Sequence, residues 1–191
     1  MWLKTFPVPE ESPARHVRDL RICTGGRHHV PEEFFEYTQW FSNVERVCLV
    51  GCGEAPPLRR PSLWRLPQSA TSLLVNTDAI TLVQVRDAMA QLPNLDNLSL
   101  LGFLVAVNRK ELVGIGAVLK GRFGGKLMLY GEYVDEDVIN MLLEVPTGLG
   151  FTELQTSCTP ERFPSAVRLA EACGKTLLKL SHLHRKPCPS S

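Results

Sequence analysis

A short core of the form apolar-x-x-apolar-x-apolar returns along this chain at nearly constant spacing, and that return restricts the fold more than any other feature. Val17, Leu20 and Ile22 make the first copy, and Val44, Val47 and Leu49 the second. Ala70, Leu73 and Val75 follow, then Leu95, Leu98 and Leu100. Leu127 with Leu129, Phe151 with Leu154, and Leu177 with Leu180 complete the series. With the middle apolar residue as anchor, the positions are Leu20, Val47, Leu73, Leu98, Leu127, Leu154 and Leu180, separated by steps of 27, 26, 25, 29, 27 and 26 residues. Self-similarity at 20 to 50 residues is the signature of stacked repeats, each too small to bury its own apolar stripe.

The stretches between cores mostly carry helical spacing. Leu82, Val85, Met89 and Leu92 share one helical face, with Thr81 and Gln84 spaced as a capping box at its start. Asn108 and Glu111 have related spacing ahead of Leu112, Ile115, Leu119 and Phe123, which predicts a helix there. Asp135 precedes Val138, Met141, Leu142 and Val145; Thr159-Pro160 precedes Ala166, Leu169, Ala170 and Cys173; Pro31 opens a stretch with Phe34, Tyr37, Thr38 and Phe41 on one face. From Glu54 to Gln68 four prolines argue for an extended or irregular return segment. Strand and helix alternating in this way predict a right-handed parallel coil. Seven strands at about 4.8 Å each would form a curved sheet about 30 Å across.

The expected fold is therefore α/β: a leucine-rich-repeat solenoid, horseshoe-shaped, of about seven parallel strand–helix repeats of 25–29 residues. The period lies inside the 20–29-residue window of that class. The repeat region is expected over residues 17–184, after an N-terminal extension at 1–16 and before a polar tail at 185–191. Two segments carry a closer likeness, Leu92-Pro-Asn-Leu-Asp-Asn-Leu-Ser-Leu100 and Phe41-Ser-Asn-Val-Glu-Arg-Val-Cys-Leu49. In them the chain resembles the leucine-rich-repeat region of F-box-type proteins, in particular the fungal set with degenerate repeats. The resemblance implies substrate recognition within an SCF-type ubiquitin ligase, with ligase components as partners. Two departures are visible. The family's Asn or Cys, three residues past the last core leucine, is matched only by Cys52; Gly25, Asp78, Phe103, Glu132 and Thr159 stand elsewhere. No F-box precedes the repeats, because Val30-Pro-Glu-Glu-Phe-Phe35 falls in phase with a repeat helix. The unfinished ends suggest a fragment or truncated relative of a longer chain.

Composition narrows the function classes. A formal net charge of +1 gives no reason to expect a nucleic-acid or membrane-surface partner. No stretch has the 18 or so consecutive apolar residues of a membrane span, and the first ten residues hold no signal-peptide core. A cytoplasmic or nuclear location follows as the expectation, with the six cysteines reduced and mostly packing.

Three motifs could carry chemistry, and each has a plainer reading. Gly174-Lys175-Thr176 looks like the tail of a phosphate-binding loop, and a small nucleotide-binding enzyme using Lys175 and Thr176 is the enzymatic alternative. However, Leu169 stands where the first glycine belongs, and a helix precedes where a strand should. A helix C-cap glycine followed by a dipole-complementing lysine explains it. His182, His184 and Cys188 lack a fourth ligand for structural zinc, and His28-His29 reads as a turn pair. The acids Asp135, Glu136 and Asp137 suit a helix N-terminus. Phe123-Gly124-Gly125-Lys126 is expected as a helix-to-strand turn with glycine at positive φ. No cofactor, metal or catalytic activity is expected.

The expected function is non-catalytic protein–protein interaction through the concave sheet face. Residues alternating with the anchors should form three columns there. The first runs Asp19, Arg46, Ser72, Asn97, Lys126, Glu153, Lys179. The second runs Arg21, Cys48, Leu74, Ser99, Met128, Gln155, Ser181, and the third Cys23, Val50, Asn76, Leu101, Tyr130, Ser157, Leu183. Candidate partner-binding residues are Arg21, Arg46, Asn97, Lys126, Met128, Tyr130, Glu153 and Gln155. Arg21, Arg46 and Tyr130 stand foremost among them, arginine and tyrosine being favoured interface anchors.

Overall fold

The computed structural model describes residues 13–24, 38, 40–51, 65–76, 80–101, 104–105, 114–130 and 136–182. Seven strands form one open parallel sheet: β1 (Asp19–Thr24), β2 (Arg46–Gly51), β3 (Ser72–Asn76), β5 (Asn97–Leu101), β7 (Lys126–Tyr130), β8 (Glu153–Thr156) and β9 (Lys179–His182), lying side by side in chain order. A separate two-residue pairing joins β4 (Ile80–Thr81) to β6 (Leu104–Val105), also parallel. The register runs anchor to anchor across the whole sheet: Leu20, Val47, Leu73, Leu98, Leu127, Leu154 and Leu180 each stand beside the next.

Burial follows the alternation of a strand. The anchors from Leu20 to Leu154 are buried, as are Ile22, Leu49, Val75, Leu100, Leu129 and Thr156 two residues further on. Against this layer pack α1 (Leu82–Ala90), α2 (Glu136–Leu143) and α3 (Phe163–Cys173). α1 starts where its capping box predicts: the Thr81 hydroxyl accepts from the Gln84 N–H at 3.2 Å, and the Gln84 side chain accepts from the Thr81 N–H at 2.8 Å. α2 buries Val138, Met141 and Leu142, and α3 buries Ala166, Leu169 and Cys173, on the stripes their spacing marks. α3 ends at Gly174 with φ +52°, the C-cap glycine of the plainer reading.

Three expectations are corrected. Among the described residues no regular helix reaches Phe123: from Gly114 on, a 3-10 turn forms at Ile115–Val118 and Leu119 onward is extended or irregular, while 108–113 lie outside the described residues. Gly114, Gly116 and Gly121 interrupt that stretch, and glycine is costly inside a helix. Second, the positive φ before β7 belongs to Phe123, at +48°, and neither to Gly124 nor to Gly125. Third, Leu180 keeps the register but is 61% exposed, whereas Leu20 is 7% exposed and the other five anchors 0%. The Pro31 stretch up to Tyr37, the proline-rich segment at 54–64, Gly25-Gly26, His28-His29 and Cys52 lie outside the described residues.

Strand entry is organised by a repeated hydrogen-bond device. At five of the six steps between rungs, the carbonyl two residues before the anchor accepts two successive N–H groups from the next rung. Arg18 O takes Glu45 and Arg46 at 2.8 and 3.1 Å; Glu45 O takes Thr71 and Ser72, both at 3.0 Å; Thr71 O takes Asp96 and Asn97, both at 2.9 Å. Gly125 O and Thr152 O do the same for Thr152 with Glu153 and for Leu178 with Lys179. A second tie comes from polar side chains four residues before the anchors. Asn43 donates to Arg15 O (2.7 Å), Ser69 to Val44 O (2.8 Å), Asn94 to Gln68 O (3.4 Å) and Thr176 to Phe151 O (3.3 Å). Both ties cross one repeat, so they fix the spacing of adjacent rungs while the apolar layer supplies most of the stabilisation.

Burial of the anchors yields a paired expectation. Leu154→Ala removes a side chain enclosed on all sides and is expected to cost about 2–5 kcal/mol, whereas Leu180→Ala should cost well under about 1 kcal/mol, because most of that side chain already meets water. Urea unfolding of the two variants against the parent chain measures both.

Candidate functional site

The face of the sheet opposite the anchors carries the three expected columns in register. Asp19, Arg46, Ser72 and Asn97 adjoin in sequence, as do Lys126, Glu153 and Lys179. Arg21, Cys48, Leu74, Ser99, Met128, Gln155 and Ser181 align along the second column. Cys23, Val50, Asn76, Leu101 and Tyr130 align along the third. That column stops short of its expected end: Ser157 lies just beyond β8, its N–H on Leu129 O at 3.0 Å, and Leu183 is outside the described residues. Arg21 and Arg46 are exposed, while Asn97, Lys126, Met128, Tyr130, Glu153 and Gln155 are half-buried; all eight candidate residues thus sit on one surface.

Charge on the first column is arranged in two clusters. At one end Arg46 pairs with Asp19, Nη1 to Oδ1 at 2.9 Å. At the other, one oxygen of Glu153 is shared by Lys179 Nζ at 2.9 Å and Lys126 Nζ at 3.1 Å. Between them lies an uncharged stretch, Ser72, Leu74, Asn97 and Ser99, lining a shallow trough of about 410 Å³ that runs from Asp19 and Arg46 to Lys126. Two lysines on one carboxylate leave that cluster with an excess of one positive charge, and Arg21 adds a positive charge at the opposite end of the sheet, on β1.

The hydrogen bond from Lys179, then that from Lys126, holds the Glu153 carboxyl below its ordinary range. A carboxyl lowered on folding stabilises the fold above its unfolded pKa, and that contribution fades as pH falls through the lower folded value. Glu153→Gln is therefore expected to be less stable than the parent chain at neutral pH. The gap should narrow as pH falls out of the ordinary carboxylate range and close once pH has passed below the lowered value at which the folded parent's own carboxyl protonates. Thermal melts of both chains at several pH values would show the convergence, and a gap unchanged by pH would contradict the ion cluster.

Asn97 has a structural task that its place on the face conceals. At the 29-residue step the double acceptor falls short: Asp96 O receives Gly125 N–H at 3.1 Å, and the Asn97 side-chain oxygen takes the Lys126 N–H at 2.8 Å in place of a backbone carbonyl. Gly125 permits this approach, since a Cβ there would stand 2.4 Å from Asn97 Oδ1. Only the NH2 end of Asn97 is thereby left to meet a partner. Gly125 and the side chains of Asn43, Ser69, Asn94 and Thr176 escape a search for recurring apolar cores, although superimposing the steps on their anchors exposes the polar position.

The remaining chemistry is plain. Cys23, Cys48, Cys158 and Cys173 are free thiols, and burial pushes Cys48, Cys158 and Cys173 up, toward the neutral form and away from the nucleophilic thiolate. Lys175 and Thr176 form a 3-10 turn after α3, in which the single Thr176 hydroxyl proton is shared between Cys173 O at 2.6 Å and Phe151 O at 3.3 Å. Among the described residues, no three histidine, cysteine or acidic side chains gather as metal ligands would. His184 and Cys188 lie outside the described residues. Among the described residues no helix is long and apolar enough to cross a membrane. Comparison with family models, with curated proteins and with solved structures finds no match to this chain.

Proposed function

We propose that this chain is a leucine-rich-repeat-type solenoid acting as a non-catalytic protein-interaction module, in the cytoplasm or nucleus, with the sheet face opposite the anchors as its recognition surface. One observation carries the reading: seven rungs in continuous register bring Arg21, Arg46, Asn97, Lys126, Met128, Tyr130, Glu153 and Gln155 to a single surface, along which a trough with an uncharged middle runs between charged clusters. Extended surfaces of this kind are what stacked repeats use for recognition. Arg21, Arg46 and Tyr130 supply the side-chain types that dominate interface energetics, Met128 adds an adaptable apolar contact, and Lys126 and Glu153 set charge complementarity at the rim.

Affinity purification of the chain followed by mass spectrometry identifies partner proteins, and the test compares it with an Arg46→Glu/Tyr130→Ala double variant of unchanged melting temperature. A partner retained by the parent and lost by the variant, then shown by titration of the purified pair to bind at least tenfold more weakly, supports the face. Partners recovered equally by both remove it.

A further inference from the structure

The two ends of the sheet are complementary to one another. β9 pairs with β8 on one side, and among the described residues no strand lies on the other. The apolar side chains at this end meet water: Leu178 is 83% exposed and Leu180 61%. α3 presents the same side. Its Arg168 reaches back to Asn140 at 3.3 Å and Glu136 at 3.7 Å on α2, and at 100° per residue Phe163 and Val167, 51% and 38% exposed, fall on the flank turned away from α2. An unpaired strand edge beside exposed leucines is a template for another strand.

The six pairings inside the sheet specify what fits there. A seventh neighbour must run parallel and in register, donate two successive N–H groups to the Leu178 carbonyl, set an apolar residue beside Leu180 and place an acid beside Lys179. β1 has that pattern: Arg18, Asp19, Leu20, Arg21, Ile22, with Asp19 exposed and, among the described residues, no strand on its outer edge. Joined in this way, the first column would read Glu153, Lys179, Asp19, Arg46 across the junction, each charge next to its opposite. We propose that the β9 edge binds the β1 edge of a second copy of this chain, end to end, so that the parallel sheet and its recognition face continue from one molecule to the next. Such a head-to-tail contact repeats from molecule to molecule, giving a chain that grows past the dimer or a ring where the rotation closes it.

Sedimentation velocity of the full chain over a wide concentration range tests this. The parent's average mass should rise with concentration past the dimer. Leu178→Asp/Leu180→Asp, which blocks the β9 edge at exposed positions, should stay monomeric, and Leu178→Asp alone is the second variant should the pair fail to fold. Asp19→Lys, which sets like charges across the junction, should weaken association about fivefold or more. Mixing Leu178→Asp/Leu180→Asp with Asp19→Lys leaves one good edge on each and should give a heterodimer at concentrations where neither chain associates alone. A parent monomeric at every concentration overturns the proposal. So does a dimer that plateaus and ignores Asp19→Lys, which would mean β9 against β9, and so does association undiminished in Leu178→Asp/Leu180→Asp or in Asp19→Lys.

Discussion

Phe151→Ala is expected to lower the stability of this chain by about 3–5 kcal/mol, the range for removing a large aromatic from a closed core. Phe151 is fully buried, and its ring lies 5.7 Å from that of Phe123, tilted by 60°. The pair joins the end of the 29-residue step, just before β7, to the residue that leads into β8: Phe123, held at φ +48°, turns its N–H to Leu95 O at 2.9 Å and gives its own carbonyl to Gly150 N–H at 3.1 Å. Truncating Phe151 removes apolar contact, edge-to-face attraction and the support for a strained backbone together. Against a total stability of about 5–15 kcal/mol, such a loss takes a large share of the fold, and a thermal melt or urea titration would record it.

Gly116→Ala is expected to be nearly as damaging for the opposite reason. A Cβ at Gly116 would stand 1.9 Å from the Met141 carbonyl oxygen and 2.8 Å from Glu144 Cβ, with the Gly116 N–H already on Glu144 Oε2 at 3.0 Å. The obstacle is helix backbone, which cannot swing aside as a side-chain tip would. The cost should therefore reach or exceed the upper end of the ~1–3 kcal/mol typical of overpacking. Gly114→Ala is the control: open space surrounds that position, and only its φ of +67° is strained, so about 1–2 kcal/mol is expected. Denaturant midpoints for the two alanine variants should differ in that order. Equal midpoints would mean that the 3-10 turn does not rest on α2 as described.

The anchors were legible because the apolar repeat returns at the same phase seven times, and parallel pairing in register turns one such column into a layer. α1 was legible for a local reason, the reciprocal Thr81–Gln84 cap. The stretch from 114 to 123 misled because Leu112, Ile115, Leu119 and Phe123 satisfy helical spacing, while the glycines at 114, 116 and 121 decide against a helix there through backbone entropy and close approach. The exposure of Leu180 was beyond sequence pattern, since burial depends on what lies over a side chain rather than on its type. On the recognition face, the order of residues along each column followed from period-two alternation alone. The sharing of Glu153 by two lysines and the internal use of the Asn97 oxygen did not, because both depend on side chains from adjacent rungs meeting in space.

The most direct test of the central statement, that successive anchors stack as neighbouring rungs of one parallel sheet, is a methyl-labelled NMR experiment on the leucines and valines. Nuclear Overhauser contacts should link Val47 to Leu73, Leu73 to Leu98, Leu98 to Leu127 and Leu127 to Leu154, each anchor touching only the next in chain order. Contacts that skip an anchor, or that set β-strands beside one another in antiparallel register, would contradict the stacking and remove the shared face with it.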